Sequence, residues 1–165
     1  MADQSRRTAE DLNARLIETL LSDGSLKSPQ VEAAFRSVLR HHFLPGMPLE
    51  EVYRAQAVVT RRGPDGAPTS SSSDPKIMAR MLEQLDVRPG HRVLEIGAAT
   101  GYNAALLSHL SGAAGAVTTV DIDPTLTATA VENLRRAGGE GVDVDRVKWG
   151  QPKTPARRLC AGELR

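Results

Sequence analysis

The sequence has few of the residues on which several classes of protein depend. It contains one cysteine, Cys160, which excludes an internal disulfide framework and a cysteine-based zinc site within the chain. Its 21 Lys and Arg residues are balanced by 20 Asp and Glu residues, so no broad basic field is available for nucleic acid. Its apolar runs are too short to span a bilayer, and residues 1–7 lack a hydrophobic signal core. We therefore expect a soluble, cytoplasmic protein without a nucleic-acid or membrane partner.

Two amphipathic helices are predicted in the N-terminal part of the chain. Thr8, followed by two acidic residues, is typical of a helix start. Apolar residues then recur at helical spacing, at Leu12, Leu16, Ile17, Leu20 and Leu21. Ser28 before Pro29 predicts a second helix start, because proline is favoured at the first helical position. The apolar face of that second helix is predicted to contain Val31, Ala34, Phe35 and Val38.

The middle of the chain combines a short strand, a loop and a third helix. Residues 52–60 are compatible with a strand, and the glycine- and proline-rich residues 62–68 predict a loop. A serine run, residues 70–73, leads into Asp74 and Pro75, which repeat the cap-and-proline start. By itself, a serine run is more often a flexible linker than a cluster of catalytic side chains. The buried face of the third helix is predicted to contain Ile77, Met78, Met81, Leu82 and Leu85.

From residue 92 onward, short apolar strands alternate with helices. The predicted strands are residues 92–96, 117–120 and 142–147, and the predicted helices are 104–110 and 124–136. Strand–helix alternation of this kind favours a parallel sheet whose strands are joined by crossover helices. We therefore predict an α/β fold with an N-terminal helical extension and a truncated parallel sheet.

A loop of small residues, 97–101, joins the first of these strands to its helix. Small side chains let the backbone approach a ligand, and a helix N-terminus offers unpaired N–H groups. Asp121 ends the second strand about twenty residues later, where a carboxylate can accept both hydroxyls of a ribose. The combination predicts a nucleotide-type cofactor, with an ordinary tight turn as the alternative.

Glu95 distinguishes between two classes of cofactor. A dinucleotide site favours the pattern G-x-G-x-x-G, with a pyrophosphate on the helix N-terminus. The chain instead has Glu-x-Gly-x-Ala-x-Gly at residues 95–101. A carboxylate here would repel a pyrophosphate, but it suits S-adenosylmethionine (SAM), whose sulfonium and ammonium groups are positive. The loop therefore favours SAM.

With this loop placed, the chain resembles the protein-L-isoaspartate O-methyltransferase family. The family segment V-x-x-A-(x)-x-V-P-R-x-x-F-V-P is similar to residues 31–45, and Tyr53 stands where the family has its next aromatic residue. The family's T-I-S-x-P corresponds to residues 71–75, with no gap between Pro75 and Glu95. The serine run and the segment that ends at Tyr53 are most similar to branches that accompany ribosomal peptide maturation.

The resemblance implies a Rossmann-like, SAM-dependent carboxyl methyltransferase that acts on isoaspartyl or aspartyl carboxylates of peptides or proteins. A carboxylate is already ionised at pH 7, so such transfer needs no general base. By position, Ser73 would hold the acceptor carboxylate, and Ser71 matches the family's threonine. The residues on the cofactor side would be Glu95, Gly97, Ala99, Gly101 and Asp121. No metal is expected.

The chain departs from the family pattern at several positions. Ala99 replaces a glycine, which is tolerable only if its φ is negative and it does not touch the ligand. Leu39 replaces a proline, and Ala55 falls where aspartate is common. Residues 149–152 lack the acidic residue that the family places near the adenine, and the strands that would follow are missing.

We predict three segments: an N-terminal helical and loop extension (1–68), an incomplete SAM-binding core (69–148) and an aperiodic tail (149–165). One hypothesis is an active enzyme whose missing strands come from a partner or a second chain. The other is a truncated, inactive SAM-binding remnant; Glu95 disfavours a dinucleotide oxidoreductase. Without further strands, the first strand would expose unpaired backbone groups, which predicts a marginally stable protein or one that self-associates through that sheet edge.

Overall fold

A computed structural model of the chain describes residues 7–138 and 141–146. The helices are α1 (Ala9–Ser22), α2 (Pro29–Ser37), α3 (Leu49–Val52), α4 (Pro75–Leu85), α5 (Tyr102–Ser111) and α6 (Pro124–Arg136), with a 3₁₀ turn at Arg40–Phe43. The strands are β1 (Val58–Arg62), β2 (Pro68–Ser72), β3 (Arg92–Ile96), β4 (Ala116–Asp121) and β5 (Val142–Arg146). The predicted tail, including Cys160, lies outside the described residues.

The two N-terminal helices begin where the sequence predicts. The Thr8 hydroxyl accepts a hydrogen bond from the Asp11 N–H at 3.2 Å, and the Asp11 carboxylate accepts one from the Thr8 N–H at 3.1 Å. This reciprocal pair is a capping box closed by aspartate. The Ser28 hydroxyl caps α2 in the predicted way. The predicted faces are buried except at Leu21, which is 39% exposed, and Val38, which is half-buried.

Residues 58–72 form a β-hairpin, which corrects two predictions. Val52 ends α3, so the predicted strand begins only at Val58 and continues through Arg62. The predicted loop is shortened to a tight turn, in which the Gly63 N–H donates to the Ala67 carbonyl at 2.8 Å. Most of the serine run lies in β2, antiparallel to β1, and is therefore not a linker. The turn sequence Pro-Asp-Gly between the strands closes the hairpin and fixes the pairing of residues with low strand propensity.

The buried face of α4 is narrower than predicted. Met78 and Leu82 are buried together with Pro75 and Ala79, and this stripe packs against α1 and α2. The other three predicted core residues are more than half exposed: Ile77 (55%), Met81 (56%) and Leu85 (56%). The prediction was wrong for these residues because the described chain supplies a neighbour for only one side of the helix.

Strands β3, β4 and β5 form a parallel sheet in that order, as the strand–helix alternation predicts. One face carries Val93, Glu95 and Thr119, and the Glu95 side chain is bonded there by α5. The opposite face carries Leu94 and Ile96, which are 55% and 84% exposed. Parallel sheets are normally covered on both faces. Within the described residues this sheet is covered on one face, and β3 lies at its edge.

The helical N-terminal part and the sheet part share one hydrophobic core. The core extends without interruption from Leu12 in α1 to Leu134 in α6. The segment boundaries at residues 68 and 148 remain predictions, and this core crosses the first of them. None of the helices in the described part of the chain has the length and apolarity needed to cross a bilayer. Residues 7–138 and 141–146 also contain no cluster of three His, Cys, Asp or Glu side chains suited to a metal ion.

Candidate functional site

The backbone of the loop after β3 is accessible at Gly97. Gly97 has a φ of 100°, and its N–H donates to the Val120 carbonyl at 2.8 Å. A Cβ placed on Gly97 would meet nothing within 4 Å, so the backbone faces open space. Only glycine adopts this conformation without strain. The predicted close approach of a ligand therefore has room at this residue.

Ala99 lies in the left-handed region, with a φ of 44°. The condition that the sequence set for a tolerated alanine, a negative φ, is therefore not met. A non-glycine residue in this region costs about 1–2 kcal/mol. Ala99 also lines the cleft described below, so its methyl group borders the space that a ligand would fill.

Gly101 is required for close packing between helices, and its predicted place on the cofactor side stays a prediction. Its φ is 86°, and a Cβ here would lie 3.2 Å from Leu134 Cγ and 3.3 Å from the Ala130 carbonyl oxygen, both in α6. The neighbouring Thr100 carbonyl accepts a hydrogen bond from Asn133 Nδ2 at 3.0 Å. The end of the loop is thus held against α6, and Gly101 fixes the direction in which α5 begins.

Asp121 joins the two loops at the carboxyl end of the sheet. Its Oδ2 accepts a hydrogen bond from the Ala99 N–H at 3.2 Å, and its Oδ1 accepts one from the Asp123 N–H at 3.0 Å. A carboxylate has about four lone-pair positions, so both oxygens can accept further hydrogen bonds. The half-buried Asp121 side chain is therefore suited to a pair of hydroxyl groups.

Glu95 is held by two side chains that sequence reasoning missed. Asn103 Nδ2 donates to Oε1 at 2.7 Å, and the Thr119 hydroxyl donates to Oε2 at 2.5 Å. Burial raises the pKa of Glu95, and these two hydrogen bonds partly offset that effect. Thr119 could have been found from the sheet alone, since it is the register partner of Glu95 in adjacent parallel strands.

A cleft of about 770 Å³ lies between the hairpin and the loops that follow β3 and β4. The hairpin contributes Arg61, Arg62, Gly63, Pro64, Thr69 and Ser70, and the sheet side contributes Ala99, Asp121, Ile122, Asp123 and Leu126. Arg61 forms an ion pair with Asp123, which connects the hairpin to the start of α6. Ile122, next to Asp121 in the cleft, is 66% exposed. An isoleucine within a polar loop is the sequence feature by which this residue of the site could have been found, and sequence reasoning overlooked it.

The two predicted acceptor-side serines differ in exposure. Ser73 is exposed just before α4, whereas Ser71 is half-buried in β2 opposite Val59. Among the described residues, the serine that lines the cleft is Ser70. The structure thus brings Gly97, Ala99 and Asp121 into one region, while the roles of Ser71 and Ser73 remain predictions.

Comparison with known sequences identifies similar proteins over most of the chain. A sequence model of the family described as protein-L-isoaspartate(D-aspartate) O-methyltransferase matches residues 10–150. A Methanopyrus kandleri protein named protein-L-isoaspartate O-methyltransferase is 41% identical over 124 residues, which are 75% of this chain and 52% of that protein. A Pyrococcus horikoshii protein of the same name is 37% identical over 144 residues, covering 86% of this chain and 62% of that protein. The chain therefore spans roughly half of the length of such relatives.

Comparison with solved structures shows that the fold is similar to that of proteins with this name. One, named protein-L-isoaspartate O-methyltransferase, superposes with a TM-score of 0.72 at 32% identity and covers 81% of this chain and 41% of that chain. A Plasmodium falciparum structure in complex with S-adenosyl-L-homocysteine gives a TM-score of 0.69 at 18% identity, covering 81% of this chain and 62% of that one. The second likeness bears on the fold alone.

Proposed function

The chain belongs to the protein-L-isoaspartate O-methyltransferase family, and on that premise we propose that it binds SAM and methylates an isoaspartyl or aspartyl carboxylate of a peptide or protein. The observation that carries the proposal is the meeting of the two loops at Asp121. There the loop after β3 and the loop after β4 converge on one carboxylate at the wall of an open cleft. Ligands of open parallel sheets bind at this carboxyl edge.

Residues of the cleft, together with Glu95 and Gly97 at the loop after β3, fit the chemical groups of SAM. Asp121 would accept the two ribose hydroxyls, and the exposed side chain of Ile122 offers an apolar surface to the adenine. Glu95 and the open backbone at Gly97 would hold the positively charged amino-acid end. Glu95, in the strand that precedes the loop, would repel a pyrophosphate, so a dinucleotide fits these residues poorly.

The chain has little chemistry to perform beyond alignment. SAM supplies, when bound, a methyl group already activated on a positively charged sulfonium. The acceptor carboxylate is ionised at pH 7, so no side chain has to remove a proton. The exposed hydroxyl of Ser73 would donate a hydrogen bond to one acceptor oxygen and direct the other toward the methyl group, and Ser71 would support it from β2. Proximity and orientation then account for the rate.

A SAM-binding chain that does not transfer is the second candidate. The observation that favours it is the uncovered face of the sheet, where Leu94 and Ile96 are exposed. In this second case Asp121 and Glu95 bind SAM as before, but no acceptor is held over it.

Within the described residues β3 is an edge strand of its sheet, which also supports association between two copies of the chain. An unpaired edge strand with exposed apolar neighbours is a template for pairing with another strand. Pairing through β3 would satisfy the backbone N–H and C=O groups at this edge. We therefore include self-association through this edge in the proposal.

The test combines calorimetric SAM binding with transfer from isotopically labelled SAM to an isoaspartyl peptide. Its matched control peptide carries aspartate at the same position. Base-labile label on the isoaspartyl peptide supports the enzyme, and SAM binding without label on either peptide supports the second candidate. Absence of SAM binding at millimolar concentration would overturn both. An Asp143→Asn variant, altered at an exposed residue of β5, should behave as the unaltered chain does in both measurements.

A further inference from the structure

Arg40 is the largest fully buried side chain among the described residues, with no exposed surface. It lies in the 3₁₀ turn after α2, and the ion pairs of the described residues do not include it. Burying a charge is costly unless hydrogen bonds replace its hydration. Burial lowers the pKa of Arg40, but a guanidinium stays charged in proteins. The contacts of Arg40 therefore indicate the role of its buried charge.

The guanidinium of Arg40 binds backbone carbonyls from two separate segments. Nη1 donates to the carbonyls of Val52 at 3.1 Å and Arg54 at 3.3 Å. Nη2 donates to the Ser73 carbonyl at 3.0 Å and, at longer range, to the carbonyl and hydroxyl oxygens of Ser72 at 3.5 and 3.4 Å. One rigid, planar group thus joins the segment before β1 to the junction of β2 and α4.

The same side chain reaches the cofactor side of the site. The Arg40 Cζ lies 5.9 Å from the ring centroid of Tyr102, within the range of a cation–π contact. Tyr102 is buried and is the first residue of α5, directly after Gly101. Arg40 therefore contacts both the backbone that carries Ser73 and the helix that starts at the cofactor loop.

We propose, on the basis of the function proposed above, that Arg40 is a positioning residue for methyl transfer. It fixes the backbone at Ser72 and Ser73 relative to the start of α5, and this sets the distance from the acceptor oxygen to the cofactor. Lysine cannot replace it, because an ammonium is a point donor and cannot span both sets of carbonyls as the planar guanidinium does. Misplacement of reacting groups by about 1 Å can cost about 100-fold in rate.

The test compares Arg40→Lys and Arg40→Met with the control Arg36→Lys, which changes an exposed arginine of α2. Each variant is assayed at a temperature where circular dichroism shows it folded. We expect kcat for the isoaspartyl peptide to fall by about 100-fold in Arg40→Lys, while its SAM affinity and all properties of Arg36→Lys stay close to those of the unaltered chain. A lowered melting temperature with an unchanged kcat would show a purely structural role and overturn the proposal.

Two further measurements distinguish a failure of this proposal from a variant that does not fold and from a failure of the proposed function. If the Arg40 variants do not fold, Ser72→Ala removes one acceptor of the guanidinium and should lower kcat without changing SAM affinity; an unchanged kcat overturns the proposal. If the unaltered chain binds SAM without transfer, the proposed function fails by itself. Amide hydrogen exchange then tests the structural part of the proposal: faster exchange of residues 70–74 in Arg40→Lys, with α1 unchanged, supports the view that Arg40 fixes this backbone, and unchanged exchange overturns it.

Discussion

The backbone N–H of Ala99 donates to the carboxylate of Asp121 at 3.2 Å, although Ala99 stands in the left-handed region with a φ of 44°. The residue that strains the loop is thus also the one that connects it to the end of β4. A conformation that glycine adopts freely is maintained here by an alanine, and the hydrogen bond to Asp121 is one of the contacts that hold it.

Replacing Ala99 with glycine should stabilise the protein. Removing the strain gains about 1–2 kcal/mol, and the greater freedom of glycine in the unfolded chain costs about 0.5–1 kcal/mol. We expect a net gain of about 0.5–1 kcal/mol in the free energy of unfolding from denaturant titration, and tighter SAM binding because a methyl group leaves the wall of the cleft. Ala98→Gly is the matched control: Ala98 is buried without a positive φ, so glycine there should destabilise. Equal effects of the two variants would contradict the strain at Ala99.

Asp121→Asn should weaken SAM binding while the chain stays folded. The carboxylate accepts two backbone N–H bonds in addition to the ribose hydroxyls that we propose for it. Hydrogen bonds to charged groups contribute about 1.5–3 kcal/mol each, so losing the charge should weaken SAM binding about 10- to 100-fold, measured by calorimetry. A SAM affinity equal to that of the unaltered chain would remove Asp121 from the site.

The pH dependence of SAM binding should follow Glu95. Burial raises the pKa of Glu95, so the carboxylate becomes protonated at a higher pH than an ordinary glutamate would. SAM affinity should therefore fall as the pH is lowered through this raised pKa, because the negative partner of the cofactor's cationic end is lost. The effect on folding has the opposite sign: with the folded pKa raised, the Glu95 contribution to stability is present at low pH and lost as the pH rises through it.

Thr119→Val provides the control for the Glu95 assignment. The Thr119 hydroxyl donates to Glu95 and lowers its pKa, so removing the hydroxyl should move the pH midpoint of SAM affinity upward. Glu95→Gln should abolish the pH dependence and weaken binding at neutral pH. A midpoint that does not move in Thr119→Val would show that another group governs the titration.

The sheet part of the fold could be predicted closely, and the hairpin could not. Predicted strand 92–96 matches β3, and Asp123 caps α6 as its sequence indicates, because alternation and capping are local signals. β2, with the sequence Pro-Thr-Ser-Ser-Ser, has weak strand propensity and forms by pairing with β1 across a turn, so its structure depends on contacts that a local pattern does not contain. The same holds for α4, whose exposed Ile77 and Met81 follow the helical period but have no neighbour in the described chain.

The candidate site also contains some residues that could be predicted from the sequence and others that could not. Gly97 and Asp121 were predictable because a loop of small residues and an acid at a strand end are spaced along the sequence. Arg40 was not, because its contacts lie between 12 and 33 residues away and converge only in the folded chain. The packing of Gly101 against α6 could not be predicted either, because α6 begins more than twenty residues later; its cofactor-side role stays a prediction.

Self-association should depend on β3, the edge strand of the sheet within the described residues. Ile96 is 84% exposed, so Ile96→Lys places no charge in the core and should leave the melting temperature of the monomer nearly unchanged. Lysine on an edge strand opposes pairing with another strand. We therefore expect sedimentation velocity to show a shift from associated to monomeric chain in Ile96→Lys. Val131→Lys, which changes a 49% exposed residue of α6, should leave the association intact. Loss of association in both variants would point to general apolar contact, and an unaltered chain that is monomeric at every concentration would refute pairing through β3.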